Sequence, residues 1–414
     1  MKQADAKKTL TPKLRFPEFR DAWKAFTVGD FFDLTYKAEK PATFEIDKIL
    51  TVKLHANGVV KNQKTTLTGG ANYFKRRAGQ FIFSKIDLLN GAFGIVNDAL
   101  DGFSSSSDVP AFTFNRKHSS SFFLSWLKAN YQRLEIERTG TSNTLKRVSP
   151  ESFLSLEILG PSAVEQQKIA NCLTSLDELI AAQGRKVEAL KAHKKGLMQQ
   201  LFPSEGETLP RLRFTEFGDK AEWESVELAS ICRIQRGKFT HRPRNDPRFF
   251  GGPHAFIQTG DVVRANGGAV VASQSLNELG LSVSKLFKPT IVLITIAANI
   301  GDTAILETEA CFTDSVVGLI PEGERVTPRF LESMMRLKKE HLNQVATTGA
   351  QKNINNEILE SLDVLVPSIE EQLKIDGCLC SLDARIAAEA EKLDALKTHK
   401  KGLMQQLFPS PVGD

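Results

Sequence analysis

The sequence lacks most of the patterns that would make it secreted, membrane-spanning or catalytic. It holds only five cysteines, Cys172, Cys232, Cys311, Cys378 and Cys380, among 414 residues. The number is odd and the positions are scattered, so no disulfide framework is expected. Cys378 and Cys380 flank one residue and have no second ligand pair nearby, which argues against zinc. A reducing, cytoplasmic setting suits this set. Long apolar runs are missing too. "PTIVLITIAANIG" falls far short of the ~18–20 residues of a membrane helix. The opening "MKQADAKKTLTPKLRF" has no apolar signal core, so secretion is not expected. Neither charge sign dominates. The formal charge is +5, from 54 basic and 49 acidic residues, which permits a nucleic-acid partner without arguing for one.

Catalytic signatures are also absent. No Gly-rich phosphate loop runs into Lys-Ser/Thr, and no dinucleotide fingerprint follows a strand. HExxH, paired CxxC, GxSxG and an Asn-Pro-Pro-Phe-like motif do not occur. Seven histidines are too few and too dispersed for a metal site. His193 and His399 each precede two lysines, and a solvated helix face accounts for them.

What is present is a duplication. "HKKGLMQQLFPS" fills His193–Ser204 and again His399–Ser410, 206 positions apart. The likeness extends upstream: Glu165–Ser204 and Glu371–Ser410 align without gaps and differ at twelve of forty positions. A second element repeats as well, since "LRFPEFRDAW" (Leu14–Trp23) matches "LRFTEFGDKAEW" (Leu212–Trp223). The chain is two half-proteins in tandem, and the length suits more than one domain. The final "FPS" stops where the initial "LRF" could resume, so the layout is nearly circular.

Each copy of the longer repeat reads as a helix. Apolar residues fall at Ile169, Leu173, Leu176, Ile180, Val187, Leu190, Leu197 and Leu201. The second copy has Ile375, Leu379, Leu382, Ile386, Leu393, Leu396, Leu403 and Leu407. Steps of four and three make a coiled-coil seam. Polar residues interrupt it at Gln183 and Lys194, then at Glu389 and Lys400, which suggests register marks for one pairing. Pro161 and Pro367 precede the helices, and Pro203 and Pro409 stop them. The expected pairing is mutual and antiparallel, from the symmetry of two tandem copies. The other arrangement is two separate core helices in similar domains.

The intervening segments, Lys24–Gly160 and Glu224–Val366, are β-rich by pattern. In each, an apolar strand (Phe81–Phe83, then Ser84 and Lys85; Val292–Thr295) leads to a small-residue turn and another strand. An acid then precedes a final strand in "SSSSDVPAF" and "FTDSVVGL". Elsewhere the segments have diverged while the helices have not. Shared helices suit one job done twice, and divergent domains suit two different surfaces being read.

Basic side chains gather in the loops. "NYFKRRAG" carries Lys75, Arg76 and Arg77 beside aromatics. "RIQRGKFTHRPRNDPRFF" carries Arg233, Arg236, Lys238, His241, Arg242, Arg244 and Arg248. Such groups grip phosphates and read guanine edges. Amides that can read adenine lie in Thr139–Lys146, with Ser142 and Asn143, and in Thr348–Asn355, with Gln351, Lys352 and Asn353. The DNA-contact candidates are Lys75, Arg76, Arg77, Ser84, Lys85, Ser142, Asn143, Arg236, Lys238, His241, Arg242, Arg244, Gln351, Lys352 and Asn353. The same clusters are also compatible with plain solvated loops, and patterning alone leaves both readings open.

The layout resembles the specificity subunit of type I restriction–modification systems. The resemblance rests on the duplicated "EQxKIxxCLxSLDxxIAA…KxxALKxHKKGLMQQLFPS", on the LRFxEF element opening each half, and on "GAFGIVNDALDG" and "FIQTGDV…LITIAANIGDTAI". It implies an α+β chain in which two pseudo-twofold-related β-rich target-recognition domains are separated by a pair of long antiparallel coiled-coil helices. The implied limits are 12–160 and 204–366 for the recognition domains, and 161–203 and 367–410 for the helical regions. It further implies no chemistry and no cofactor in this chain. Each domain would read half of a bipartite, asymmetric site in double-stranded DNA. The helices would set the gap, on the order of one duplex turn, and dock two methyltransferase subunits carrying S-adenosylmethionine. A translocating endonuclease subunit would join, and no membrane is involved. The rival readings are a nucleic-acid-binding adaptor outside restriction and a coiled-coil protein scaffold.

Overall fold

The computed structural model describes residues 12–35, 39–41, 45–63, 72–140, 146–297, 299–348 and 354–408. The duplicated segments form two α-helices, Ala163–Leu201 and Ile369–Leu407, each of 39 residues. At 1.5 Å rise per residue each is about 58 Å long. Their starts are capped alike. The Ser162 and Ser368 hydroxyls accept from the N–H groups of Glu165 and Glu371, both at 3.4 Å, satisfying one of the donors a helix start leaves unpaired. Both helices end two residues before the proline of "FPS", because a proline disfavours helical backbone in the residue preceding it.

The fold is α+β, with two β-rich units and the long helices paired antiparallel. The pairing follows the seam. Ile169, Leu173, Val187, Leu201, Ile375, Leu379 and Leu407 are buried. Leu176, Ile180, Leu190, Leu197, Leu382, Ile386, Leu393, Leu396 and Leu403 are half-buried, and neighbours such as Asp177, Glu188 and Asp383 face solvent. Lys194 Nζ donates to both carboxylate oxygens of Asp383 at 2.5 and 2.7 Å, and Lys186 pairs with Glu389. Residue numbers rise along one helix as they fall along the other. Lys400 pairs with Asp177, which is the Lys194–Asp383 pair shifted by 206 in each partner. Burying a leucine side chain contributes about 1.5–3 kcal/mol, an exposed ion pair about 0–1. The seam therefore holds the pair together, while the lysines fix its register.

The chain divides into two compact units, Met1–Gly184 with Glu391–Asp414, and Arg185–Ala390. In the first unit a four-stranded antiparallel sheet runs in the order Phe32–Asp33, Ala111–Phe114, Phe81–Phe83, Phe93–Ile95. Alternation along the middle strand serves two cores. Phe81 and Phe83 join Phe31, Phe122, Phe123, Phe153, Ile169, Leu173, Leu407 and Phe408. Ile82, on the other face, joins Leu50, Val59, Val96 and Leu100. Beyond that face lie two short ladders, Leu50–Val52 with Val59–Lys61 and Tyr73–Lys75 with Ser104–Ser106.

The second unit repeats the plan. Its sheet runs Cys232–Arg236, Val316–Pro321, Ile291–Thr295, Thr303–Leu306. Val292 and Ile294 join Met198, Leu201, Phe202, Phe330, Ile375 and Leu379, while Ile291 and Leu293 face the other core. Where the first unit has two short ladders, the second has another four-stranded sheet: Gln274–Leu276, Phe250–Ile257, Ala310–Phe312, Leu286–Phe287.

The elements outside the divergent lobes match closely. Lys24–Thr27 pairs with Glu157–Gly160, and Glu224–Glu227 with Asp363–Val366. Arg15 clasps Glu165 with Nε and Nη2 at 2.7 and 2.8 Å, and Arg213 clasps Glu371 at 2.9 and 2.8 Å. Gln166 and Gln372 donate to the carbonyls of Pro161 and Pro367, both at 3.0 Å. The same amides accept from the N–H groups of Ser119 and Thr327, at 3.3 and 2.9 Å, which cap the helices Ser120–Asn130 and Pro328–Leu337. Leu212 N donates to Gln200 O at 2.9 Å, and Leu14 N to Gln406 O at 3.2 Å. The near-circular layout is thus physical: the last helix holds the first "LRF" as the first helix holds the second.

Candidate nucleic-acid interface

In the first unit the candidates surround the strand Tyr73–Lys75 and the end of Phe81–Phe83. Lys75 is half-buried. Arg77 is exposed, with Nη2 at 3.2 Å from Glu39. Arg76 departs from the expectation of a phosphate-gripping residue, being only 2% exposed. Its Nε donates to Ser105 Oγ at 2.7 Å and its Nη2 to Val109 O at 2.9 Å. Its guanidinium lies 5.6 Å from the centroid of the Phe74 ring. Adjacent residues of an extended chain point opposite ways, so one of two neighbouring arginines was bound to turn inward. The Ser84 hydroxyl accepts from Asp87 N at 3.2 Å. Lys85 is half-buried, and its N–H donates to Asp108 O at 2.9 Å. Ser142, Asn143, Gln351, Lys352 and Asn353 lie outside the described residues.

In the second unit the candidates occupy the loop leaving the strand Cys232–Arg236. Gly237 makes that exit possible, since a Cβ there would lie 2.2 Å from Thr313 O. Lys238 is exposed. His241 stacks on Phe249 with ring centroids 4.1 Å apart, and its Nε2 lies 3.2 Å from Asp246 Oδ2. Hydrogen bonds from Arg248 hold the Asp246 carboxyl far below the usual carboxylate range, so this loop keeps its ion pair at any physiological pH.

Three arginines, Arg236 at the end of the strand and Arg242 and Arg244 in the loop, converge on one residue. Arg242 Nη2 and Arg244 Nη2 donate to Asp314 Oδ2 at 3.2 and 2.7 Å, and Arg236 Nε donates to Asp314 O. Arg242 Nη1 also donates to the carbonyls of Phe239 and His241 at 2.7 and 2.8 Å. The side chains of Arg242 and Arg244 remain 52% and 48% exposed. They are at once held and solvent-facing, as a phosphate or base-edge contact requires. The acids preceding the final strands are visible in the sequence, but Arg147 is not among the basic residues that the loop composition brings out. It bonds Asp108 through Nε and Nη2 at 3.1 and 3.2 Å. Its signal was positional, a lone arginine opposite an acid brought near only by the fold.

Nothing in the described residues gathers His, Cys, Asp or Glu into a metal-holding group. Burial pushes the Cys232 thiol up to about 12 and the Cys311 thiol upward as well, so neither is a thiolate at neutral pH. His193 and His399 are exposed on the long helices. No helix among the described residues is long and apolar enough to cross a membrane.

Two β-rich units on one repeated scaffold, joined by duplicated helices and differing in their basic loops, define a class: a protein that presents two different surfaces on one frame. The comparisons narrow it. A type I restriction modification DNA specificity domain matches twice, over residues 20–192 and 220–398. The chain belongs to the family of type I restriction–modification specificity subunits, DNA-binding subunits that neither catalyse nor carry a cofactor themselves. It is similar to the type I restriction enzyme MjaVIII specificity subunit of Methanocaldococcus jannaschii, 22% identical over 439 residues, covering 96% of this chain and 94% of that one. Its fold is that of the type I S subunit from M. genitalium, with TM-score 0.55, 16% identity, and 97% and 100% of the two chains covered. A chain from a type I system studied for complex assembly and conformational transition gives TM-score 0.59 at 20% identity, covering 94% and 98%.

Proposed function

We propose that the chain reads a bipartite, asymmetric site in duplex DNA, one half-site per β-rich unit, within a complex with methyltransferase subunits. The observation that carries this is the contrast between the two units. Their scaffolds share the same strand pairs and the same helix-end clasps, yet their outer lobes differ in sheet architecture and in the placement of arginines. Equal scaffolds with unequal reading surfaces suit two unequal half-sites. Each helix, about 58 Å long, sets the spacing, on the order of one turn of duplex at ~3.4 Å per base pair. The two helical copies, twelve differences in forty positions, suit two identical partners. Those partners bring S-adenosylmethionine and the transfer chemistry, and a translocating endonuclease subunit adds cleavage. The boundaries 12–160, 161–203, 204–366 and 367–410 describe this division of labour.

The test is a base-modification map of DNA from cells expressing the chain with its methyltransferase, against cells lacking it. A methylated motif in two unequal parts with a fixed gap is the expected result. An assembled complex that adds no such motif would overturn the reading and favour the adaptor.

A further inference from the structure

Each unit places an aspartate at the turn into the same strand of its sheet. Asp108 precedes Ala111–Phe114 and Asp314 precedes Val316–Pro321. Both strands are the second in their four-stranded sheets. Both carboxylates collect guanidinium groups, but from unrelated segments. Asp108 takes Arg147, from the strand Arg147–Val148. Asp314 takes Arg242 and Arg244 from the loop after the first sheet strand, and through its carbonyl Arg236 from the end of that strand. The same position therefore does the same work with different partners in the two lobes.

The geometry at Asp314 goes beyond charge neutralisation. Two arginines bond its carboxylate and a third bonds its carbonyl, a local surplus of two positive charges, before Lys238 is counted. Asp314 Oδ1 is buried and meets no donor among the described residues, which costs stability rather than adding it. The carboxylate is held by the turn, and the guanidiniums come to it. Arg242 is fixed by three acceptors. Arg244 gives only Nη2 to the carboxylate, and Arg236 only Nε to the carbonyl, so both turn further N–H groups outward. A guanidinium pinned by one edge presents the other in a fixed direction. Base readout needs that direction, because bidentate pairing to a base edge is geometrically demanding, whereas a phosphate is reachable from many poses.

We infer that Asp108 and Asp314 are positioning residues for sequence specificity. They orient arginines toward base edges, and their negative charge weakens the arginines' grip on DNA of any sequence. The inference rests on the DNA-reading function proposed above. It assigns Asp108 to one half-site and Asp314 to the other.

The experiment compares the full chain, in complex with its methyltransferase, with its Asp314→Asn variant. Binding is measured to two labelled duplexes, one carrying the methylated motif and one of random sequence. Asp314→Asn removes a negative charge and frees the arginines. Random-sequence affinity should rise several-fold, and the ratio of cognate to random affinity should fall about tenfold, a loss on the scale of one misread base pair. The lost discrimination should be confined to one half of the motif, and Asp108→Asn should relax the other half. Because Asp314 is partly buried, Arg244→Lys on the exposed loop provides a variant without risk to the fold. It keeps the charge and loses the fork, so random-sequence binding and its salt dependence should stay as in the unaltered protein while cognate affinity falls. Unchanged discrimination in any of the three variants, or equal loss at both half-sites, would overturn the inference. Failure of the unaltered complex to bind duplex DNA would instead overturn the DNA reading itself, and it shows before any variant is made.

Discussion

The two units use one scaffold and fill it with different chemistry. The first packs phenylalanine on phenylalanine. Phe83 and Phe153 lie 4.6 Å apart between ring centroids, Phe31 and Phe123 5.1 Å, and Phe81 and Phe123 5.3 Å. The second puts Val292, Ile294, Val317, Leu319, Leu331 and Met335 in the corresponding core. Cores tolerate such exchange when volume and pattern are kept. What does not vary between the halves is the polar hardware at the helix ends: the Arg–Glu clasp, the Gln–proline carbonyl bond and the Leu–Gln bond. Apolar packing is interchangeable, and directed hydrogen bonds are not. Placement of the domains on the helices therefore combines apolar packing with a few directed polar contacts, and those contacts are where the comparison can be broken.

The clasp should give the largest effect. Glu165 and Glu371 are 1% and 2% exposed. Truncating the arginine leaves a buried carboxylate, a loss on the order of 3 kcal/mol, the lower end of the range because the guanidinium is partly solvated. The units should differ, however. Trp223 Nε1 donates to Glu371 at 3.3 Å, whereas Trp23 Nε1 is buried without a partner among the described residues. Arg213→Ala should therefore cost about 1 kcal/mol less than Arg15→Ala. Urea unfolding followed by tryptophan fluorescence measures both, and equal losses would show that the indole bond contributes nothing.

The pH response should separate the units next. Five residues past the cap of equivalent helices stand Leu124 and Glu332. Glu332 is buried, bonded to Thr303 and Arg336 at 2.6 and 2.8 Å. Burial raises its pKa despite those bonds, and burial likewise raises Asp376, whose equivalent is Ala170. A carboxyl with a raised folded-state pKa binds its proton more tightly when folded. The second unit should lose stability as pH rises from about 4, the ordinary carboxylate value, through the raised values. The first has no counterpart at these positions. Glu332→Gln should flatten the dependence in pH-jump unfolding, and an unaltered profile would remove Glu332 as its source.

DNA affinity offers a finer cut. Changing Arg242 and Arg244 together to alanine should weaken binding and lower the slope of log affinity against log salt by up to about two, near 0.9 per phosphate contact. Unchanged affinity and slope would take this loop out of the interface.

How much of this was legible in the sequence depends on the length of the pattern. The long helices and their seam were readable because a period of 3.5 repeats over some forty residues, twice. The register was only hinted at, by Lys194 and Lys400 interrupting the seam at matching places; their partners Asp383 and Asp177 lie off the apolar seam and come from the structure. The equivalence of the sheets was readable only around Phe81–Phe83 and Val292–Ile294, since rings and branched aliphatics fill the same space without resembling each other as letters. Arg76 misleads because composition counts a guanidinium without saying which way it turns. Arg147 escapes because its acid is 39 residues away.

The smallest effect is the most discriminating, because it uses residues that are identical in the two halves. Lys194 and Lys400 sit in the same repeated sequence and hold equivalent aspartates. Reversing either charge costs the ion pair and adds a repulsion, about 1 kcal/mol in a partly exposed setting. The surroundings then tell them apart. Lys400 lies close enough to Lys128 that its charge, after burial, helps hold the Lys128 pKa down, so a glutamate at 400 relieves one repulsion while creating another. Lys194 lies within the field of the buried Glu332, so a glutamate at 194 replaces a favourable charge near that carboxyl with an unfavourable one. Lys194→Glu should therefore destabilise more than Lys400→Glu in thermal unfolding, although the helices are nearly the same. Pairing each with Asp383→Lys or Asp177→Lys should restore most of the loss at 400 and less at 194. Equal costs and equal rescue would mean that the helices behave as an isolated pair and that the units' interiors do not reach them.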